Sequence, residues 1–205
     1  MIFGIDSLLF HGTSIQNVER ILRSDTLQAT CRLPEQALHL LPGPTSGPAD
    51  QAIRVSSLSR SIAVARTHSS SWLRVSAAIL AFDEDALRRE VGHRLFAFND
   101  LFIQSGTHPL AANEQEEAIR GHLLAASRHL RHILIFKKGQ SSIDLILAEF
   151  PLIAAHPGLL VFADQRNMSL STLRHHLARP LLRRSQRFGL PAKRLKMLRA
   201  LSRMR

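Results

Sequence analysis

The chain has no tyrosine and a single cysteine, Cys31, in 205 residues. One thiol excludes an internal disulfide and a cysteine-rich metal cluster, and it makes a reducing cytoplasm the expected compartment, including that of a target cell into which the protein is delivered. No apolar run reaches the roughly 20 residues of a membrane span. The longest, from Leu145 to Phe162, is interrupted by Glu149, Pro151, His156, Pro157 and Gly158. The N-terminus, Met1-Ile2-Phe3-Gly4-Ile5-Asp6, has no basic stretch ahead of a hydrophobic one, so no secretory signal is expected. There is no internal repeat, no phosphate-cradling P-loop and no local signature of a hydrolase nucleophile. His122, His129 and His132 lack the spacing of a zinc site, so no metal is expected and a surface position or nucleic-acid contact is predicted for them.

Acidic residues are missing from one region altogether. Residues 1–165 hold 15 Lys and Arg against 16 Asp and Glu, whereas residues 166–205 hold 12 Lys and Arg and no acid. The net charge of +11 therefore belongs to the last 40 residues. Of the 27 basic residues 23 are arginine, which keeps its charge and forms planar, bidentate bonds to phosphate or carboxylate. Two units follow: a neutral body, 1–165, and a basic extension, 166–205. The chain as a whole is 45% apolar, enough for a real core.

Local pattern gives the body many short strands. Residues 7–11 read as a buried strand running into Gly12. Thr13-x-x-Gln16 is a capping-box pattern, and Val18, Ile21 and Leu22 then fall at helical spacing. Residues 31–53, rich in proline and glycine, read as a long loop. Val55–Ser59 reads as a strand and Ile62–Ala65 as a helix start, with Ser61 as its cap. Ala77–Phe82 is a clear strand, followed by Asp83-Glu84-Asp85 capping a helix to Glu90. Strands are predicted near Arg94–Phe98, over Glu114–Arg120, over Arg131–Phe136 and over Leu159–Phe162. A helix is expected over Ser142–Ala155, with Pro151 inside it. Ser169–Arg184 and Ala192–Met204 have basic amphipathic helical patterns. Trp72 and most phenylalanines are expected in the core. The class is α+β, with a basic C-terminal helical tail.

Three segments carry chemistry: Phe10-His11-Gly12-Thr13-Ser14, Ser57-Leu58-Ser59-Arg60-Ser61 and Asn113-Glu114-Gln115-Glu116-Glu117-Ala118-Ile119. A histidine at a strand end, a hydroxyl-rich strand and a late acidic strand suit cleavage of a nucleotide glycosidic bond. There a carboxylate stabilises an oxocarbenium-like ribose, and the histidine and hydroxyls fix the sugar and base. Gln115 and Glu117 fall on one face of a strand.

In this order the segments resemble the ADP-ribosyltransferase superfamily, particularly its small bacterial and phage members with His-Gly-Thr, Ser-x-Ser-Arg and Gln-x-Glu patterns. The resemblance spans residues 8 to 165, on about fifteen specific positions. It implies a split β-sandwich with short flanking helices and NAD as the substrate cofactor. His11, Gly12 and Thr13 would bind NAD; Ser57, Ser59 and Arg60 would shape its nicotinamide side. Glu117 would be the catalytic glutamate, with Glu116 as the fallback, and Gln115 would face the acceptor. Members with a first-strand histidine usually carry a tyrosine in the second motif. Here Ser57 or Ser59 would have to serve, which makes the pocket a hybrid of two classes.

The implied activity is NAD-dependent mono-ADP-ribosyl transfer, a glycosyltransferase reaction releasing nicotinamide, as in a toxin, effector or regulator. Two alternatives stay open: an RNA 2′-phosphotransferase-like enzyme, and a non-enzymatic nucleic-acid-binding protein on a degenerate form of the fold. The acid-free tail attracts polyanions by counterion release, with Arg183, Arg184, Arg187, Lys193, Arg194 and Lys196 among its contact residues. DNA, RNA or a nucleic-acid-associated protein is the leading partner class. Its leucines, among them Leu177, Leu181 and Leu182, also allow an acidic protein groove, a membrane surface or packing on the body.

Overall fold

The computed structural model describes residues 7–32, 54–70, 77–97, 116–136, 147–162, 177 and 186–187. Its centre is the strand pair that the sequence marks most strongly. β1 (Leu8–Ser14) lies antiparallel to β5 (Ala77–Asp83) along its whole length, from Leu8↔Asp83 to Ser14↔Ala77. β5 is buried at all seven positions, as a near-continuous apolar run requires. On its far side β9 (Leu130–Phe136) pairs antiparallel, with a bulge between Ala81 and Phe82. β10 (Leu159–Phe162) then pairs parallel to β9, and the two-residue β11 (Gln186–Arg187) parallel to β10.

The other half of the sheet starts at β4 (Arg54–Ser59), which pairs antiparallel with β7 (Glu116–Arg120); β7 in turn pairs with β6 (Leu95–Ala97). β3 (Cys31–Arg32) also lies against β4. Only the pair Phe10↔Ser59 joins β1 to β4, so the two halves meet at a single point. The result is a mostly open sheet in the order β11-β10-β9-β5-β1-β4-β7-β6. A separate ribbon pairs β2 (Thr26–Leu27) with β8 (Leu123–Leu124).

Alternation along the strands divides the apolar residues between two layers. Leu9, Leu58, Leu80, Phe82, Ile119, Ile133 and Val161 face one layer. There α1 (Ile15–Ser24) adds Val18, α3 (Glu84–Val91) adds Leu87, and α4 (Pro151–Ala155) adds Ile153. Leu8, Phe10, Ile79, Leu134, Phe136 and Leu160 face the other, covered by Ile62 and Ala65 of α2 (Ile62–Ser70) and by Leu177. Leu177, within the basic extension, is thus a core residue, and part of that extension belongs to the body's packing. The described phenylalanines Phe10, Phe82, Phe96, Phe136 and Phe150 are buried, as expected.

The capping chemistry is largely as predicted, with three corrections. α1 is capped by Ser14, whose side chain accepts from Asn17 N–H at 3.3 Å, rather than by Thr13; pairing of β1 to β5 continues through Ser14 and delays the helix by one residue. Residues 147–149 are helical, but Phe150 leaves the helical region and Pro151 opens α4, where a missing N–H costs nothing. The buried Glu19 carboxylate accepts from Leu152 and Ile153 N–H at 3.4 and 3.3 Å and so caps that short helix from α1. The third concerns the histidines: His129 and His132 are buried at 4% and 6% exposure, and His122 Nδ1 accepts from Ala29 N–H at 2.9 Å. His129 and His132 thus belong to the interior, and the half-buried His122 holds the backbone at Ala29. Most of the 31–53 loop, the tail helices and Trp72 lie outside the described residues.

Candidate functional site

The junction of the two half-sheets gathers most of the residues singled out from the sequence. β1 and β4 part after the pair Phe10↔Ser59, and the His11 ring spans the gap. Its Nδ1 lies 2.9 Å from the Ser57 carbonyl. A carbonyl can only accept, so Nδ1 carries the hydrogen in this contact. His11, Gly12 and Ser57 are half-buried. Thr13 serves the adjoining helix instead: its hydroxyl accepts from Asn17 Nδ2 at 3.2 Å and fixes the start of α1.

Ser57 and Ser59 lie opposite Ala118 and Glu116 across the β4–β7 pair. Directly paired residues put their side chains on the same face, so Ser57, Ser59 and Glu116 share one. Ser59 is buried, and its Oγ accepts from Ser61 N–H at 3.0 Å, holding the turn into α2. Ser61 Oγ in turn accepts from Val64 N–H at 3.4 Å as that helix's cap, as expected. Glu116 is half-buried at the start of β7.

Glu117 points to the opposite face, with Leu58 and Ile119, which is the core side. The carboxylate is buried, at 5% exposure, and enclosed in charge. Arg60 Nε donates to Glu117 Oε1 at 2.8 Å, and Arg88 Nη2 to the same oxygen at 3.3 Å. Both arginines also hold Glu84, in the first turn of α3. Arg60 donates to its two oxygens at 2.9 and 2.6 Å, and Arg88 Nε to Oε1 at 2.7 Å. Two guanidinium groups and two carboxylates thus form a neutral network joining β4, β7 and α3. Burial alone would raise the Glu84 carboxyl, but the bonds from Arg60 and Arg88 outweigh it and hold it below its ordinary value. Arg60, bonded first to Glu84 and then to Glu117, is pushed up.

Sequence reading missed Glu84 and Arg88 as members of this site. Their i,i+4 spacing on a helix was the available signal. Gln115 and Glu114 lie outside the described residues, as do Arg183, Arg184, Lys193, Arg194 and Lys196; Arg187 lies in β11. Among the described residues, no group of three or more His, Cys, Asp and Glu is arranged to hold a metal ion, and no helix is long and apolar enough to cross a membrane. No protein-family model, curated protein or solved structure matches the chain.

Proposed function

We propose that the chain is an NAD-dependent mono-ADP-ribosyltransferase, built on the split sheet of that superfamily, with Glu116 as its catalytic carboxylate. One observation carries the proposal: Ser57, Ser59 and Glu116 share one face where the half-sheets part, and the His11 ring, which lies on the other face with its pairing partner Leu80, holds the Ser57 carbonyl there. A sheet face bearing hydroxyls and a carboxylate suits a ribosyl donor.

NAD would supply the bond between nicotinamide and ribose C1′; on cleavage its electron pair leaves with nicotinamide, and an acceptor atom bonds C1′ while losing a proton. Glu116 carries the charge that stabilises the cationic ribose and accepts from a sugar hydroxyl. His11 would hold the Ser57 carbonyl, and with it the strand that carries Ser57, in place beside the donor. Gly12, without a side chain and half-buried beside His11, admits close approach to its backbone. Ser57 or Ser59 would serve where members of that superfamily with a first-strand histidine usually carry a tyrosine.

Glu116 is preferred to Glu117 because it lies opposite Ser59 on the Ser57 face, whereas Glu117 lies opposite Leu58 on the core side with two guanidinium groups. Arg60, committed to Glu84 and Glu117, is assigned to that network rather than to NAD. The acceptor is a macromolecule, nucleic acid or a protein associated with it, attracted by the acid-free last 40 residues. Seating of Leu177 in the core ties that segment to the body.

The test is release of nicotinamide from NAD by the purified chain, with labelled NAD and a lysate to reveal the acceptor. Protease-sensitive label marks a protein acceptor and nuclease-sensitive label a nucleic acid. Absence of NAD binding by calorimetry, with salt-dependent nucleic-acid binding retained, would replace the enzyme with a binding protein.

A further inference from the structure

We infer that Arg60, Arg88 and Glu84 are positioning residues that hold β7 in the one register presenting Glu116 to the Ser57 face; this rests on the activity proposed above. β7 opens on two adjacent glutamates, Glu116 and Glu117. Because side chains alternate along a strand, a slip of one residue exchanges their faces. β7 pairs antiparallel with β4 on one side and β6 on the other, and backbone pairing by itself does not distinguish the side chains of Glu116 and Glu117.

Two features oppose the two possible slips. A slip that turned Glu117 toward Ser57 would bring Ala118 against Arg60 and Arg88. The guanidinium groups would then share Glu84 alone, with Glu117's carboxylate gone from a site where it is buried and doubly bonded. The reverse slip would keep a carboxylate there, supplied by Glu116, but would lift Ile119, 0% exposed, out of the core and present Gln115 to Ser57. Either slip would also move Ile119 off its core position, so burial opposes both, and the charge network adds to it against the slip that brings Ala118 to Arg60 and Arg88.

The three partners suit this role because none is on β7. Arg60 follows β4, and Glu84 and Arg88 sit one turn apart on α3. Glu84 is itself buried, at 7% exposure, and is bonded by both arginines, so it fixes the guanidinium groups before they reach Glu117. The network therefore ties β7 to two elements of the scaffold.

The decisive variant is Arg60→Met in the full chain. Amide exchange across 116–120 is expected to accelerate about tenfold or more, since local opening of β7 becomes easier. Nicotinamide release should lose about tenfold or more in kcat, while KM for NAD changes less than about threefold. That split marks a misplaced carboxylate, whereas weaker NAD binding would raise KM. Arg60→Lys, which keeps the charge without the planar fork, should fall between wild type and Arg60→Met. Unchanged exchange in Arg60→Met overturns the inference. So does faster exchange with kcat unaltered, which leaves the network a purely structural one. If Arg60→Met fails to fold, Arg88→Met, which removes the longer of the two bonds to Glu117 together with the Arg88 bond to Glu84, is measured in the same two ways, and the same results decide. A wild-type chain that releases no nicotinamide defeats the proposed activity, whereas faster exchange in the variant would still support pinning of the strand.

Discussion

Strands β10, β9, β5 and β1 are joined over four to seven residues and supply apolar residues to both layers, whereas β4 and β7 carry the serines and glutamates of the site. The first half is buried between helices α1, α3 and α4 on one side and α2 with Leu177 on the other. The second is held at its rim by ion pairs and by Arg94, which donates to the Arg120 and His122 carbonyls at 2.9 and 2.6 Å. Hydrophobic burial is non-directional, and it can stabilise a slab without fixing any one polar atom. Charge networks contribute less net stability, but they are specific about which side chain goes where. The molecule thus separates a scaffold that supplies stability from a half-sheet that supplies placement.

The sharpest way to break this division is Glu116→Gln. Removing the negative charge where cationic ribose must form should lower kcat for nicotinamide release by about 10²–10³, equivalent to ~3–4 kcal/mol. Melting temperature should move little, because Glu116 is only half-buried at a strand start. A variant that retains full turnover would return the choice to Glu117 or end the enzymatic proposal. Leu80→Ala is the converse. Leu80 is 0% exposed in β5, and its truncation should cost about 3 kcal/mol of stability by denaturant titration. Below its melting range, kcat should be that of the wild type. A fall in kcat with the fold intact would show that the slab also sets the site.

Acid should weaken the scaffold half before the site. His132 on β9 and His156 after α4 flank the approach of Gly158 to β9, and burial lowers each from 6.5 to about 4. His156 Nδ1 accepts from Gly158 N–H at 3.1 Å, a bond that only the unprotonated nitrogen can make. The unfolded chain binds these protons at higher pH than the folded one, so stability is complete above pH 6.5 and falls toward pH 4. By about pH 5 the loss at His132 should be about 2 kcal/mol. Chemical denaturation between about pH 7 and 5 measures it, and His132→Leu should flatten the slope. Gly158 leaves no room for adjustment there: a Cβ on it would lie 1.9 Å from the Arg131 carbonyl oxygen.

Much of the scaffold was legible in the sequence. Ala77–Phe82 and Arg131–Phe136 are apolar runs of strand length, and Asp83 announces α3 by accepting from Ala86 N–H at 2.8 Å. Two-residue strands such as β2, β8 and β11 carry no periodicity, so nothing in the sequence marks them. The site was half legible. Parity correctly places Glu117 with Ile119, but parity does not say which face is the core. The partners that decide it, Arg60 and Glu84, stand 57 and 33 positions from Glu117, and long-range ion pairs have no local signature. Tertiary packing also delays α1 by a residue, since Thr13 and Ser14 are equally able caps and only the pairing of β1 chooses between them.

The smallest expected effect lies where the two halves touch. Ser61 caps α2 through a 3.4 Å bond to Val64 N–H, and its own N–H is held by Ser59 Oγ at 3.0 Å. α2 belongs to the scaffold, because Ile62 and Ala65 pack with Phe10 and Ile79. Ser59 belongs to the site, because it lies opposite Glu116. Ser61→Ala removes the cap but keeps the backbone N–H, so it should cost only about 0.5–1 kcal/mol, read as a lower melting temperature. Turnover should be unaffected, since the Ser59 hydroxyl keeps its donor. A loss of kcat larger than the loss of stability would mean that this turn transmits strain from α2 into the Ser57–Ser59 strand, and that the boundary between scaffold and site lies inside the β1–β4 junction rather than at it.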